Sequence, residues 1–222
     1  WRRFIYGDPV LVFEMALPNI GEEISFYVAT PRSLETVIEK QIHSFFPDAL
    51  VEKTEDYNIF NPTGYHASAS LSLSTSYFLP ILTFKNLEYD PLENISNALS
   101  KLEKEGEGAA IQMIIKKAPS GWASKGQKIM RAMQEGKSFS DAFHGNSIVG
   151  GIINEALVSE EAKEKEKMEK PKSITPVEEA KIKAIGEKIS KTGFNVNIRL
   201  VASAKDEDRA QKILSHLEGA FQ

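Results

Sequence analysis

Few residues in this sequence stand at spacings that chemistry requires, and two glycine patterns come nearest. Gly121-Trp122-Ala123-Ser124-Lys125-Gly126-Gln127-Lys128 has the G-x4-G spacing of a phosphate-binding loop. Such a loop needs Lys and then Ser or Thr directly after the second glycine, for the phosphates and for magnesium. Here those places hold Gln127 and Lys128, and the segment reads as helix, not as a strand-to-helix turn. Gly106-Glu107-Gly108 opens like a dinucleotide fingerprint, but it precedes its strand, and Ile111 stands where the third glycine belongs. It reads as a helix stop and turn. The four histidines (43, 66, 144 and 216) form no i, i+3 or i, i+4 pair that a helix would present to a metal. There is no Gly-x-Ser-x-Gly turn for an activated serine. No catalytic residue, cofactor site or metal ligand is assigned on these grounds.

Two polar features remain, both on strands. His66, Ser68, Ser70, Ser72, Ser74 and Ser76 share one face of a strand whose other face carries Tyr65, Ala67, Ala69, Leu71 and Leu73. A hydroxyl row of this kind either lines a binding groove or is a solvated sheet face, and the solvated face is the simpler reading. Arg199 is the one long cation of the last strand, alternating outward between Ile198 and Leu200. It is a candidate contact to a neighbouring subunit or a phosphate backbone, against the plainer reading of a surface ion pair. The only concentrated positive charge is a weak basic patch of Lys116, Lys117, Lys125, Lys128 and Arg131.

The elements that position these residues follow from periodicity. Phe194, Val196, Ile198, Leu200 and Ala202 alternate as a strand with one buried face, and Ala210, Ile213, Leu214, Leu217 and Phe221 then recur at helical spacing. Ile24 to Ala29 followed by a stripe of Leu34, Val37, Ile38, Gln41, Ile42, Phe45 and Phe46 repeats that order, with Ser33 as the expected N-cap. Val10–Leu17 predicts a first strand, paired as a hairpin with the next. Residues 49–53 and 56–60 read as further strand material. Asp90-Pro91-Leu92-Glu93 and Thr175-Pro176-Val177-Glu178 are helix starts with an N-cap, Pro at N1 and Glu at N3. Ala109 to Ile115, apolar on both faces except at Gln112, predicts a central strand. Trp122, Ile129, Met130 and Met133 mark a helix ended by Gly136, and Ser138 opens a shorter one.

The whole has the composition of a globular protein: 222 residues, 41% hydrophobic and 26% charged, with a formal charge of -4. That balance disfavours a nucleic-acid surface spread over the whole chain. The absence of cysteine excludes disulfides and thiolate metal sites. Residues 159–172 alternate Glu and Lys and have no apolar face to bury, so they read as a charged linker. The expected organisation is a main α+β body over 1–158, the linker over 159–172, and a helix–strand–helix unit over 173–222 completing the same core.

Several stretches together resemble a known family: residues 21–28 (GEEISFYV), 39–49 (EKQIHSFFPDA), 56–60 (DYNIF), 107–112 (EGAAIQ) and 197–204 (NIRLVASA), with Arg209-Ala210. They are similar to the amino-terminal domain of bacterial type IV secretion or conjugative DNA transfer ATPases, motors of the HerA/FtsK group. The resemblance runs from about Leu11 to Phe221 and rests on fold-defining stretches. In that family the nucleotide-binding motifs lie downstream, so it implies a non-enzymatic accessory domain without cofactor or small-molecule substrate. It further implies self-association through the motor, contact with other secretion-system proteins and at most indirect contact with DNA. Placement would be cytoplasmic, at the inner face of the bacterial membrane, with Trp1, Arg2 and Arg3 flanking an upstream membrane segment. Arg199 and these three residues are the interface candidates. The expected fold is α+β: two related strand–helix units, with mixed or antiparallel sheet covered by helices. A DNA-contacting module is the alternative function, and an independent enzyme domain a weaker one.

Overall fold

The structure is a computed structural model that describes residues 8–18, 23–83, 90–102, 106–145 and 174–221. Its sheet contains β1 (Val10–Leu17), β2 (Ser25–Ala29), β3 (Tyr65–Leu71), β4 (Gly108–Lys117) and β5 (Phe194–Ala204), in the order β2-β1-β4-β5-β3. Every neighbouring pair is antiparallel. The described helices are α1 (Glu35–Phe45), α2 (Pro91–Leu99), α3 (Ser124–Gln134), α4 (Phe139–Gly145), α5 (Pro176–Ile189) and α6 (Glu207–Gly219). The fold is therefore α+β, and β4 is the central strand.

Register divides the sheet into two unlike faces. Met15, Ile111, Leu200 and Ala69 form one cross-strand row of the first face. This face is covered by Ile95, Ala98 and Leu99 of α2 and by Ala210, Ile213, Leu214 and Leu217 of α6. Each large side chain buried here contributes about 1.5–3 kcal/mol. Both helices are fixed at their starts. Asp90 accepts a hydrogen bond from the Leu92 backbone N–H at 2.9 Å, and Asp206 accepts one from the Arg209 N–H at 2.8 Å. Arg209 also grips Glu107, which is 3% exposed, through Nε at 2.6 Å and Nη2 at 2.8 Å. That two-pronged bond ties α6 to the entry of β4, and it gives the buried carboxylate the partner it requires.

The chain divides into two compact units, the first holding residues 1–72, 83–117 and 194–222, and the second 73–82 and 118–193. The divisions fall at 72/73, 82/83, 117/118 and 193/194, the last two at the end of β4 and the start of β5. Helix α5 belongs to the second unit, while β5 and α6 belong to the first. In the second unit Phe78, Ile129, Met133 and Ala142 make a small core, with Lys125 over the rings of Phe78 and Phe143 at 5.7 and 5.4 Å. Lys188 of α5 donates to the Leu79 carbonyl at 2.5 Å, and burial lowers its pKa from the ordinary lysine value. The expected linker, 159–172, lies outside the described residues, as do Trp1, Arg2 and Arg3.

Several local expectations are corrected. Residues 49–53 and 56–60 form no strand, and β3 stops at Leu71, leaving Leu73 exposed. Ser33 does not cap α1: a 3-10 turn over Arg32–Leu34 precedes it, and Leu34 holds the cap position without a side-chain bond. Helix α1 buries no residue, so its stripe is helical without being a core face. Trp122 stands before α3, packed so closely on Gly193 that a Cβ there would lie 2.5 Å from its ring. Thr175 and Glu178 do form the reciprocal capping box at the start of α5.

Leu200, fully buried, and Arg199, exposed on the other face, make a direct test of one-sided cover. Leu200→Ala is expected to lower the unfolding free energy by about 2–5 kcal/mol, and Arg199→Ala by less than about 0.5 kcal/mol. Urea denaturation of the two variants measures both, and equal losses would mean that β5 is covered on both faces.

Candidate functional site

The second face of the sheet carries the polar residues. Its central row runs Tyr27, Glu14, Gln112, Arg199, Ser70 across all five strands. Alternation puts these side chains together because each stands at an odd or even position opposite to the core set of its strand. The neighbouring row is Ser25, Ala16, Ala110, Val201, Ser68, and beyond it His66 pairs with Ser203.

An extended segment crosses part of this face and makes a wall. Ile59 packs on Ala16 and Ala110, and Tyr57 stacks on Tyr27 with ring centroids 4.2 Å apart. Gly108 permits this approach, since a Cβ there would lie 2.3 Å from the Ile59 carbonyl oxygen. The buried Ser203 hydroxyl accepts the Asn61 backbone N–H at 2.9 Å, and Asn61 donates its amide to the Gly106 carbonyl at 3.3 Å. Gly106 turns there with φ 79°. Residues 56–60, expected as a strand, thus form with Asn61 an irregular cover held by side-chain bonds.

Beyond Phe60 the face opens into a groove of about 490 Å³, lined by Phe60, His66, Ser68, Ser70, Gln112 and Arg199 among others. Phe60 and His66 meet edge to face at 6.0 Å. Glu14 stands just beyond Gln112, and both its oxygens are engaged: Gln112 Nε2 donates to Oε1 at 2.7 Å, and the Tyr57 hydroxyl donates to Oε2. Burial first, then the bond and charge of Glu14, raise the Tyr57 pKa above its ordinary 10.0. Arg199 donates from Nε to Asn197 Oδ1 at 3.0 Å and makes no ion pair among the described residues.

The structure therefore brings Arg199 and the first half of the serine row onto one surface. Ser72, Ser74 and Ser76 lie beyond β3 and do not continue it. The basic patch is not one feature: Lys116 and Lys117 end β4 in the first unit, whereas Lys125, Lys128 and Arg131 lie on α3 in the second. Lys125 is engaged with aromatic rings, and Arg131 pairs with Glu135 at 3.2 Å. Gly126 is buried within α3, so the G-x4-G spacing forms no phosphate loop. Among the described residues no group of three or more His, Asp or Glu is placed to hold a metal. No described helix is long and apolar enough to cross a membrane. Glu14 and Gln112 were not singled out as site residues from the sequence. Their signal was that each interrupts an otherwise apolar strand.

A family model described as Domain of unknown function (DUF8128) matches residues 7–222. The chain belongs to this family. No curated protein and no solved structure matches it.

The Tyr57–Glu14 bond predicts an alkaline effect. A phenol whose folded pKa is raised keeps its proton above pH 10, where the unfolded chain has lost it, so its stabilisation is whole below that pH and falls as pH rises further. Tyr57→Phe is expected to be less stable than the parent at neutral pH and to show a shallower stability loss above about pH 10. Urea midpoints across that range check it, and parallel curves would refute the coupling.

Proposed function

We propose that this chain is a non-catalytic assembly and docking domain, of the kind that its resemblance to conjugative-transfer motor ATPases implies. The observation that supports this reading is the bare end of the helix-covered face. Past the row at Leu200, the same face continues through Phe13, Met113 and Val196 to Phe194. These side chains are 39%, 38%, 50% and 57% exposed, although α2 and α6 bury their neighbours. A run of apolar side chains on a rigid strand surface is the material of a protein interface, in which aromatics and Met are enriched. In this reading the surface receives a second copy of the chain or another component of a secretion apparatus at the cytoplasmic side of the membrane.

Sedimentation velocity of the 222-residue chain over a concentration series tests self-association. Reversible association is expected, and Met113→Asp with Val196→Asp should abolish it while leaving the thermal melt nearly unchanged. A chain that stays monomeric throughout overturns the self-assembly reading. The motor assignment is tested separately, by whether the natural polypeptide carries a phosphate-binding loop after Gln222; lack of one overturns it.

A further inference from the structure

We propose that the groove on the open sheet face binds a nucleotide unit, with its phosphate on Arg199. The inference is independent of the assembly reading, which rests on the opposite face of the sheet.

Arg199 is exposed on an interior strand paired on both sides, and its bond to Asn197 uses only Nε. The bond fixes the plane of the guanidinium and leaves the Nη donors of the fork, the geometry that matches two oxygens of a phosphate. Ser70 is the direct cross-strand partner of Arg199, and Ser68 lies two residues away on the same face. Their hydroxyls make no hydrogen bond with other described side chains, so they remain donors for the same anion. Among the described residues no carboxylate lines the groove. The nearest acid in the row, Glu14, has one oxygen taken by Gln112 and the other by Tyr57. Arg199 itself is in no ion pair among the described residues, so no carboxylate in direct contact competes for its free donors.

The rest of the groove selects more than a bare anion. Gln112 spends its N–H on Glu14, which leaves its amide oxygen as an acceptor for a sugar hydroxyl or a base N–H. Phe60 offers a ring that is 45% exposed and braced at its edge by His66. Such a ring stacks with a flat base whatever its sequence identity. A volume of about 490 Å³ falls within the usual range of small-ligand sites, roughly 300–1,000 Å³. An antiparallel sheet with helices on one face and aromatic and Arg side chains on the other also suits single-stranded nucleic acid. A free nucleotide and a single strand present this same chemistry.

The test uses the 222-residue chain, a fluorescein-labelled oligothymidylate of about ten nucleotides, and calorimetry with thymidine 5′-monophosphate and inorganic phosphate. One engaged phosphate predicts a log–log salt slope of about −0.7, whereas engagement of the three cations of α3 would give roughly −2.1. Arg199→Ala is expected to weaken binding about tenfold and flatten the slope without moving the thermal melt. Phe60→Ala should weaken the oligonucleotide and the monophosphate a few-fold and leave inorganic phosphate unaffected. Binding of the monophosphate with the same Arg199 dependence identifies a free nucleotide as the ligand. Binding of the oligonucleotide alone identifies a single strand. Failure of all three probes at millimolar concentration overturns the proposal, and so does binding that Lys128→Ala abolishes and Arg199→Ala leaves intact.

Discussion

The pairing of β4 with β5 is the constraint on which the rest depends. The ladder runs without interruption from Gly108 with Ser203 to Lys117 with Phe194, and it joins strands separated in sequence by residues 118–193. Closing so long a connection costs little more than closing a shorter one, because the entropy of loop closure grows only with the logarithm of its length. Most of the second unit is carried in that connection. Its ends are held by the Ala118 N–H donating to the Gly193 carbonyl at 3.0 Å, directly beyond the last ladder pair. With β4 and β5 in register, β1 and β3 are added on either side, and the cross-strand rows of both faces are determined together.

Register also explains how a carboxylate is accommodated in the body of the sheet. A half-buried acid on a mostly apolar strand costs free energy unless its oxygens are bonded. Glu14 meets this through two elements distant in sequence, Gln112 on β4 and Tyr57 on the covering segment. The segment is itself held by Asn61 on Ser203 and admitted by the missing side chain at Gly108. The acid, its donors and the cover form one dependent set, and Arg199 stands next in the row outside it. Glu14 is thereby anchored in the row two strands away from Arg199, with Gln112 between them.

Much of this was legible in the sequence where a period or a cap is strong. Val10–Leu17, the central position of β4, Asp90 and Thr175 as caps, and the stripe of α6 were all readable from local pattern. The failures have a common physical origin. Tyr57 and Ile59 stand two apart as in a strand, yet residues 56–60 pair with no strand and pack as side chains across a face. Helix α1 has a proper apolar stripe, but amphipathicity reports what a helix is able to bury and not whether anything arrives. Trp122 keeps helical spacing with Ile129 and Met133 and is spent instead on the backbone of Gly193. The groove was half visible, as a serine row and a lone arginine. The remainder depended on register, since Gln112 and Glu14 become neighbours of Arg199 only when three strands are aligned.

That alignment lets one strand serve two surfaces without conflict. Along β5 the even positions, from Phe194 to Ala204, face the helix side, and their cover thins steadily from Leu200 toward Phe194. The odd positions, Asn197, Arg199, Val201 and Ser203, face the groove and its wall. Because successive side chains point to opposite faces, a change at one position reaches the other surface only through the backbone, and the ladder on both sides holds the backbone rigid. The apolar end and the charged groove are therefore mechanically joined and chemically separate. A partner seated on the Phe194 end would leave Arg199 accessible, so occupancy of the two surfaces by different molecules is sterically compatible along this strand.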